Sequence, residues 1–415
     1  MLTLSPALRR YIENSLPSAG VSGVNARTYH EWVARTLKTV DRELEFHRPL
    51  TPPPAGVQRV KRSLALLKTL EEVVAERHGV GSLGLSTLRG DLLAALSDAK
   101  RIAHNDETRL IDRETVAETF RFTEECFKEG TFDWNDDALL LRAYQLRAKG
   151  VITERGTLGQ YGHIVVDEVQ DLSPVELSTI VGAVRHQRDL TVVGDTSQNL
   201  DQSGSFPGWE KLRKHWNFSG EISHYVSLEV SHRSTLPIMR LADHIQQRSV
   251  VKSGRVGRTP IWFKCRSESH GIEHALKWLS KAIELYPNQV TAVLCATPEE
   301  AKFAYKMLQP TFGQVVRLGD AYSFSFEEGI LVTDVRQVKG LEFFSVLIWN
   351  PSTNAFPSNE LGRNLLHVAV TRAEENLCLV TWARPSRWLP HFGVSKLIRS
   401  MDMTIVDEDL RADGE

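Results

Sequence analysis

Short apolar runs alternate with longer amphipathic stretches in the C-terminal half of the chain. Each run is five to seven residues long and bounded by polar or turn-forming residues, as is typical of buried strands. The stretches that follow carry apolar residues at helical spacing. Such alternation predicts a parallel sheet covered by helices. The predicted strands are 261–265, 290–295, 345–349 and 376–382, and the predicted helices are 272–285 and 299–308.

A helical pattern dominates residues 25–150. Apolar residues recur there at helical spacing among many charges, after a Pro-rich hinge at Leu50–Pro54. The predicted helical stretches are 57–77, 88–102, 115–128 and 136–148. Before them, residues 1–6 predict a short strand and residues 7–15 a helix. We therefore expect a mostly helical insertion within an α/β protein.

Two further apolar runs end in polar side chains. Ile164–Val166 is followed at once by Asp167 and Glu168, and the run after residue 189 ends in Asp195 and Gln198. The carboxyl ends of parallel strands are where open α/β sheets bind ligands. One acid there can hold a Mg²⁺ that bridges phosphates, and the next can position or deprotonate an attacking water. For the acid pair alone, a strand that ends in a polar turn is the alternative interpretation.

Composition narrows the class of protein only a little. The chain has 415 residues, enough for two or three domains, and its 50 basic and 52 acidic side chains nearly cancel. The sequence has no excess of basic residues that would indicate a nucleic-acid partner, although a local groove can be basic in a neutral protein. The four cysteines form no CxxC pair and no zinc-ligand spacing, which favours buried free thiols in a reducing compartment. No apolar run approaches membrane-spanning length, so we expect a cytoplasmic protein without a membrane partner.

The segments Asp167-Glu-Val-Gln-Asp171 and Gly194-Asp-Thr-Ser-Gln198 together resemble motifs II and III of UvrD/Rep-type superfamily 1 helicases. The resemblance implies two RecA-like parallel-sheet domains, the first of them incomplete, with a helical insertion like subdomain 1B. It also implies ATP and Mg²⁺ as cofactors and single-stranded DNA as partner. By this resemblance Asp167 holds the metal, Glu168 is the second catalytic carboxylate and Gln198 contacts the nucleotide.

The C-terminal half contains segments similar to the remaining motifs of the same family. Residues 224–230 predict a further strand, and the Ser-His-Arg-Ser-Thr235 that follows it resembles motif IV, although Ser231 and His232 stand where the family usually has Asn and Tyr. Motif V is represented by Lys-Gly-Leu-Glu-Phe343, and Leu365–Ala373 is close to motif VI. By resemblance, Arg372 is a catalytic arginine finger. The implied nucleotide-binding residues of this half are Arg233, Lys339, Gly340 and Glu342.

Residues that resemble the family's single-strand contacts lie near the N-terminus. Thr28, Tyr29 and His30 are similar to its usual Thr-Phe-His motif, and Phe206 is an aromatic on which a base could stack. The alternative for the first three is a helix N-terminus, with Thr28 as the cap and Glu31 completing a capping box.

The phosphate-binding loop of the family, G-x-x-x-x-G-K-[ST], occurs nowhere in the sequence. The first residues resemble motif Ia, which follows that loop in the family. We therefore expect a fragment or split subunit whose phosphate loop is carried by a separate chain, and which hydrolyses ATP hardly at all alone.

The spacing between the C-terminal motifs leaves no room for the large 2B insertion of UvrD and Rep. In this respect the chain resembles HelD-type members, which bind RNA polymerase. A HelD-like RNA polymerase-associated factor and a non-hydrolysing nucleic-acid-binding scaffold therefore stand as alternatives to a helicase. The expected domains are an incomplete first RecA-like domain at 1–24 and 151–230, a helical insertion at 25–150, a second RecA-like domain at 231–395 and a tail at 396–415.

Overall fold

The computed structural model describes residues 1–41, 45, 47–77, 83–148, 161–195, 198, 200, 208–216, 223–227, 233–320 and 324–404. The chain divides into two compact units. The first contains Met1–Leu4 and Gly20–Tyr225, and the second contains Ser5–Ala19 and Val226–Glu415. Each unit has its own parallel sheet and is described here by itself.

The strands within the described residues are β1 Leu2–Thr3, β2 Arg27–Thr28, β3 Ile164–Val166, β4 Leu190–Val192, β5 Ile261–Cys265, β6 Val290–Cys295, β7 Val316–Leu318, β8 Gly329–Asp334, β9 Phe343–Trp349, β10 Ala373–Thr381 and β11 Arg399–Met403. The helices are α1 Pro6–Ser18, α2 Tyr29–Val40, α3 Ala55–Lys61, α4 Leu64–Glu76, α5 Leu85–Ser97, α6 Ala99–Asn105, α7 Arg113–Lys128, α8 Trp134–Ala148, α9 Pro174–Val181, α10 Trp209–His215, α11 Leu236–Ile245, α12 Glu268–Leu285, α13 Pro298–Phe312 and α14 Glu360–Thr371.

The sheet of the first unit has the order β2-β1-β3-β4, and its strands are parallel. Ile164 and Val166 are buried, as expected for a short apolar strand covered on both faces. Because β3 lies between β1 and β4, the residues that follow β3 lie beside those that follow β4. The predicted Asp167–Glu168 and Asp195–Gln198 segments therefore meet at one edge of this sheet.

Side-chain caps divide the helical insertion more finely than the apolar pattern predicted. The single predicted stretch 57–77 is two helices, because the Ser63 hydroxyl accepts the Leu66 N–H and begins α4. The stretch 88–102 is likewise interrupted at Asp98, whose carboxylate accepts the Arg101 N–H and begins α6. Apolar periodicity cannot detect such a break, since the helices on both sides bury one face against the same core.

Buried acids at the start of α8 are held by one cation from α3 and one from the non-helical stretch before it. Lys61 Nζ lies 2.5 Å from Asp133 Oδ2 and 2.6 Å from Asp136 Oδ1, and all three side chains are buried. Arg48 donates two hydrogen bonds to Asp137 at 3.0 and 2.7 Å. Burial raises the pKa of Asp136 to about 7 and that of Asp137 to about 6. One lysine thus serves two carboxylates, which ties α3 to α8.

The second unit has a seven-stranded parallel sheet with the order β11-β5-β10-β9-β6-β8-β7. Strands β5 and β6 have the bounds that the sequence predicts, Ile261–Cys265 and Val290–Cys295. Helices α12 and α13 pack on the sheet through a core that contains Leu279 and Leu308. The expectation of an α/β protein with two parallel sheets is confirmed.

Two strand assignments differ from the sequence expectation. Residues 223–227 form no strand, although 224–230 was predicted as one, and 228–230 lie outside the described residues. Tyr225 and Val226 are exposed there, so their β propensity has no partner strand to act through. Conversely, Arg399–Met403, within the predicted tail 396–415, pairs with β5 along five residues. Met401 and Met403 alternate with Asp402 there, but so short and half-exposed a run does not by itself predict a strand, and its pairing with β5 reveals it.

Candidate functional site

The loop after β3 holds its two acids in a strained conformation. Glu168 has φ 56° and ψ 39°, a left-handed geometry that side-chain-bearing residues rarely adopt. Its N–H donates to Asp167 Oδ1 at 2.9 Å, and the Asp167 N–H donates to Leu2 O of β1 at 3.2 Å. Both carboxylates remain partly exposed. Strained backbone of this kind persists only where surrounding contacts hold it in place, and it is common in functional loops.

Gln170 connects the two predicted motifs. Its Nε2 donates to Glu168 Oε2 at 2.5 Å, and its Oε1 accepts the Asp195 N–H at 3.0 Å. Gln198 Nε2 in turn donates to Asp195 Oδ2 at 3.0 Å. Gln170 is fully buried, so its amide has no water to replace these partners. Sequence reasoning singled out the acids and missed this glutamine, although it lies within the same DEVQD segment.

Gly194 is needed where the two motifs approach each other. A Cβ at this position would lie 2.3 Å from Gln170 Oε1 and 2.9 Å from Val169 Cγ1. Any larger residue would therefore displace the glutamine that joins Glu168 to Asp195.

This edge of the sheet has the donor chemistry that a Mg²⁺–nucleotide requires. Mg²⁺ prefers carboxylate oxygens and usually takes one or two of them together with phosphate oxygens and waters. Asp167 and Glu168 supply such oxygens from a loop fixed by backbone and side-chain hydrogen bonds. The residues present therefore fit the metal, because Asp167 and Glu168 offer adjacent carboxylate oxygens.

In the second unit, Arg233 and Glu342 form an ion pair although 109 residues separate them. Arg233 Nη1 lies 2.7 Å from Glu342 Oε1, while 73% of the Arg233 side chain remains exposed. The Arg233 guanidinium keeps most of its donors toward solvent, where a phosphate oxygen could accept them. The structure thus brings together two residues that the sequence assigned to nucleotide binding.

Arg372 is buried and contacts Leu341, the residue that precedes Glu342. It follows α14, and its guanidinium donates to Leu341 O at 2.9 Å and to Val368 O at 3.2 Å. Its carbonyl accepts the Phe343 N–H at 2.9 Å. Arg372 therefore fixes the segment that contains Lys339 and Gly340. Lys339 is buried, and Gly340 has φ 77°, which a glycine adopts without strain.

Arg255 is a member of this cluster that the sequence did not indicate. Its Nη2 donates to Arg233 O at 2.6 Å and to Glu374 O at 2.9 Å, and its Nη1 pairs with Glu375. Burial, and next the charge of Glu342, raises the pKa of Glu374. No motif surrounds Arg255, so only its contacts identify it as a support for the Arg233 backbone.

The predicted single-strand contacts of the N-terminal region are largely structural. Thr28 caps α2, and the full capping box with Glu31 is present, which confirms the structural interpretation. Tyr29 is 1% exposed, and its hydroxyl lies 2.9 Å from Thr179 Oγ1 in the core. A base cannot stack on a ring that is enclosed in this way. His30 is partly buried, and burial lowers its pKa.

An exposed aromatic ring lies next to His30 and offers a surface for base stacking, which the buried Tyr29 ring does not. Trp134 begins α8 and is 53% exposed. Its ring centroid is 5.0 Å from that of His30, and the Arg48 guanidinium lies 3.8 Å from its centre. The exposed part of this tryptophan can stack on a base, with the Arg48 cation close by. Phe206, the other predicted aromatic, lies outside the described residues.

Comparison with protein families shows to which family the chain with these two residue clusters belongs. The UvrD/REP helicase N-terminal domain matches residues 5–200, and the UvrD-like helicase C-terminal domain matches residues 329–380. Together the two matches cover more than half of the chain, and they include the Asp167–Gln198 cluster and the Lys339–Arg372 segment. The chain belongs to the UvrD/Rep-type helicase family. Its two parallel sheets are consistent with the two RecA-like domains of such a helicase.

Structural comparisons are weaker than the family matches. The C-terminal domain of a possible DNA helicase from Lactobacillus plantarum WCFS1 is 21% identical, with a TM-score of 0.34, and the match covers 41% of this chain and 99% of that one. Arterivirus nonstructural protein 10, a helicase solved with DNA, is 18% identical, with a TM-score of 0.28 over 54% of this chain and 41% of that one. No curated protein matches the sequence.

Among the residues that the structure describes, no helix is both long enough and apolar enough to cross a bilayer.

Proposed function

We propose that this UvrD/Rep-type protein is part of an ATP-dependent translocase or helicase that moves on single-stranded DNA. The observation that carries the proposal is the hydrogen-bonded connection of motif II to motif III through Gln170. A nucleotide-dependent enzyme needs its metal ligand, its catalytic carboxylate and its nucleotide sensor in one fixed arrangement. Asp167, Glu168 and Gln198 are held by one network of this kind.

Each of these side chains has a separate task in the proposal. Asp167 would hold Mg²⁺, which neutralises charge on the phosphates when it is bound. Glu168 would orient and deprotonate the attacking water, which its position beside Asp167 allows. Gln198 would contact the nucleotide. Its hydrogen bond to Asp195, which in turn bonds to Gln170, would couple the position of the nucleotide to these two residues.

Within the second unit, the proposal assigns phosphate binding to Arg233. Arg233 has most of its guanidinium exposed and would exchange its ion pair with Glu342 for a phosphate. Exposed ion pairs contribute little to stability, so this exchange costs little. Arg372 would be the arginine finger that neutralises charge on the phosphates during hydrolysis. It would do so from the buried position where it fixes the Lys339–Gly340 turn.

In this proposal a separate chain supplies the phosphate-binding loop, whose signature does not occur in these 415 residues. Such a loop supplies a nest of backbone N–H groups and one lysine, which exposed arginines cannot replace. We therefore expect the 415-residue chain by itself to turn over far less than about one ATP per second, the lower end of ordinary enzymes.

The decisive experiment restores a phosphate-loop segment from a UvrD/Rep-type relative, fused to the chain or added as a second chain. ATP hydrolysis should then become measurable and should rise with single-stranded DNA. In this complemented protein, Glu168→Gln should lower turnover by about 10²- to 10⁴-fold and leave ATP binding intact, because a general base acts only on the reaction.

Glu210→Gln, in an exposed position of α10, is the matched control and should leave turnover unchanged. Equal losses of binding and turnover in Glu168→Gln would contradict the assigned role. Failure of every complemented form to hydrolyse ATP while DNA still binds would favour a non-hydrolysing scaffold.

A further inference from the structure

Three potential metal ligands converge at the start of α12 in the second unit. They are Cys265, the last residue of β5, and His270 and His274 on the first turns of the helix. Their ligand atoms all lie within 4.8 Å of one another. Residues 201–328, which include all three, lie between the two stretches that match helicase domains, so the family match gives them no role.

The two histidines are placed as a pair of ligands would be. They are four residues apart, so both rings lie on one side of α12. Their Nε2 atoms are 3.1 Å apart. Zinc bonds to nitrogen of about 2.0–2.1 Å in tetrahedral geometry require a separation of about 3.3 Å, so the rings are already close to the required distance.

Neighbouring residues hold this arrangement without occupying it. Phe263 stacks on His274 with ring centroids 5.3 Å apart and planes 22° apart, which fixes the imidazole. Gly271 lets α12 lie against Trp382, because a Cβ there would come within 2.2 Å of the indole. This close approach brings the helix to the end of β5, where Cys265 is buried.

One polar atom of the cluster is unsatisfied. His270 Nδ1 is buried and has no hydrogen-bond partner among the described residues. An unpaired buried nitrogen costs free energy, but this atom is not the proposed ligand atom, which is the His270 Nε2 beside His274 Nε2.

We propose that Cys265, His270 and His274 bind a divalent transition-metal ion of the zinc class. One thiolate and two imidazoles are the ligand types that such ions prefer over the oxygen ligands suited to Mg²⁺. Three protein ligands leave a fourth position for water. The ion would tie the end of β5 to the first turns of α12 and stabilise the second unit.

Cobalt and zinc binding to the full, metal-free chain test the proposal. One equivalent of Co²⁺ should produce ligand-field bands of a tetrahedral site together with a thiolate-to-cobalt charge-transfer band, and Zn²⁺ should abolish both by displacement. Cys265→Ser should lose the charge-transfer band. His274→Gln, which changes a partly exposed residue, should weaken zinc binding by at least about 100-fold, since even changes beyond the metal's direct ligands cost about 10- to 100-fold.

Cys295→Ser and His104→Gln are the matched controls, because neither residue belongs to the cluster. Both should bind Co²⁺ with the spectrum and affinity of the wild type. Circular dichroism of each variant shows that it is folded. The proposal is wrong if one equivalent of Co²⁺ gives no tetrahedral spectrum, if the charge-transfer band persists in Cys265→Ser, or if folded His274→Gln binds zinc as tightly as the wild type.

Discussion

Single buried side chains hold the predicted motifs in position. Gln170 joins Glu168 to Asp195, and Arg372 fixes the loop before β9 through Leu341 O. The family resemblance assigns Arg372 a role in catalysis, and the structure adds a role in shaping the site. Functional groups are precise only when neighbouring groups restrict them, and here those neighbours are buried and hydrogen-bonded.

At the residue scale we predict that Trp134→Ala weakens single-stranded DNA binding. Stacking on an aromatic contributes roughly 1 to 3 kcal/mol per base, which corresponds to about a 5- to 150-fold loss of affinity. Trp134 is more than half exposed beside His30 and Arg48, so a base can reach it. Fluorescence anisotropy with a labelled oligonucleotide, at low salt and without ATP, measures the effect.

Trp278→Ala is the comparison for this test, because Trp278 packs on the core of the second unit. It should change stability more than DNA affinity. If Trp134→Ala binds DNA like the wild type, the aromatic contact lies elsewhere, and Phe206 is the next residue to examine.

At the scale of elements, a buried charge network decides how the helical insertion packs. Lys61 ends α3, while Asp133 and Asp136 flank the start of α8, and none of the three side chains reaches solvent. The removal of one partner from a buried ion pair leaves an uncompensated charge in a medium of low polarity.

We therefore predict that Lys61→Met lowers the free energy of unfolding by about 3 to 5 kcal/mol. Lys68→Met is the matched control. Its ammonium lies 3.0 Å from Glu107 in a partly exposed pair, which contributes at most about 1 kcal/mol. Urea unfolding followed by circular dichroism compares the two variants. Similar losses in both would mean that the buried network does not carry the expected stabilisation.

At the scale of the whole molecule, charge and family membership indicate different partners. The protein belongs to a helicase family, yet its 50 basic and 52 acidic residues give it no overall attraction for DNA. Binding would then depend on local contacts, and we expect it to be modest.

We predict that the chain without nucleotide binds a single-stranded oligonucleotide with an affinity that falls as salt rises. For single strands, the slope of log K against log salt is about −0.7 for each phosphate neutralised. A titration from low to moderate salt measures this slope. A HelD-like role predicts the opposite outcome, with RNA polymerase subunits recovered in a pull-down and no single-strand binding even at low salt.

Local patterns in the sequence determined the fold class, several strand bounds and the segments that carry the motifs. Strands β3, β5 and β6 begin and end as predicted because short, mostly apolar runs bounded by polar residues admit few other structures. Asp167, Glu168 and Gln198 were identified in the same way, because their position after apolar strands is a local property. The sequence alone also shows that it contains no phosphate-loop signature, because that signature is a local motif.

Only the tertiary structure decided which of these residues face solvent and which lie in the core. Tyr29 and Trp134 are both aromatic residues at helix starts, but Tyr29 is enclosed beside Thr179 and Trp134 is exposed. Strand β11 exists through its pairing with β5, and the Cys265–His270–His274 cluster exists through the approach of α12 to the sheet. These features depend on contacts between distant residues, and spacing along one chain does not encode such contacts.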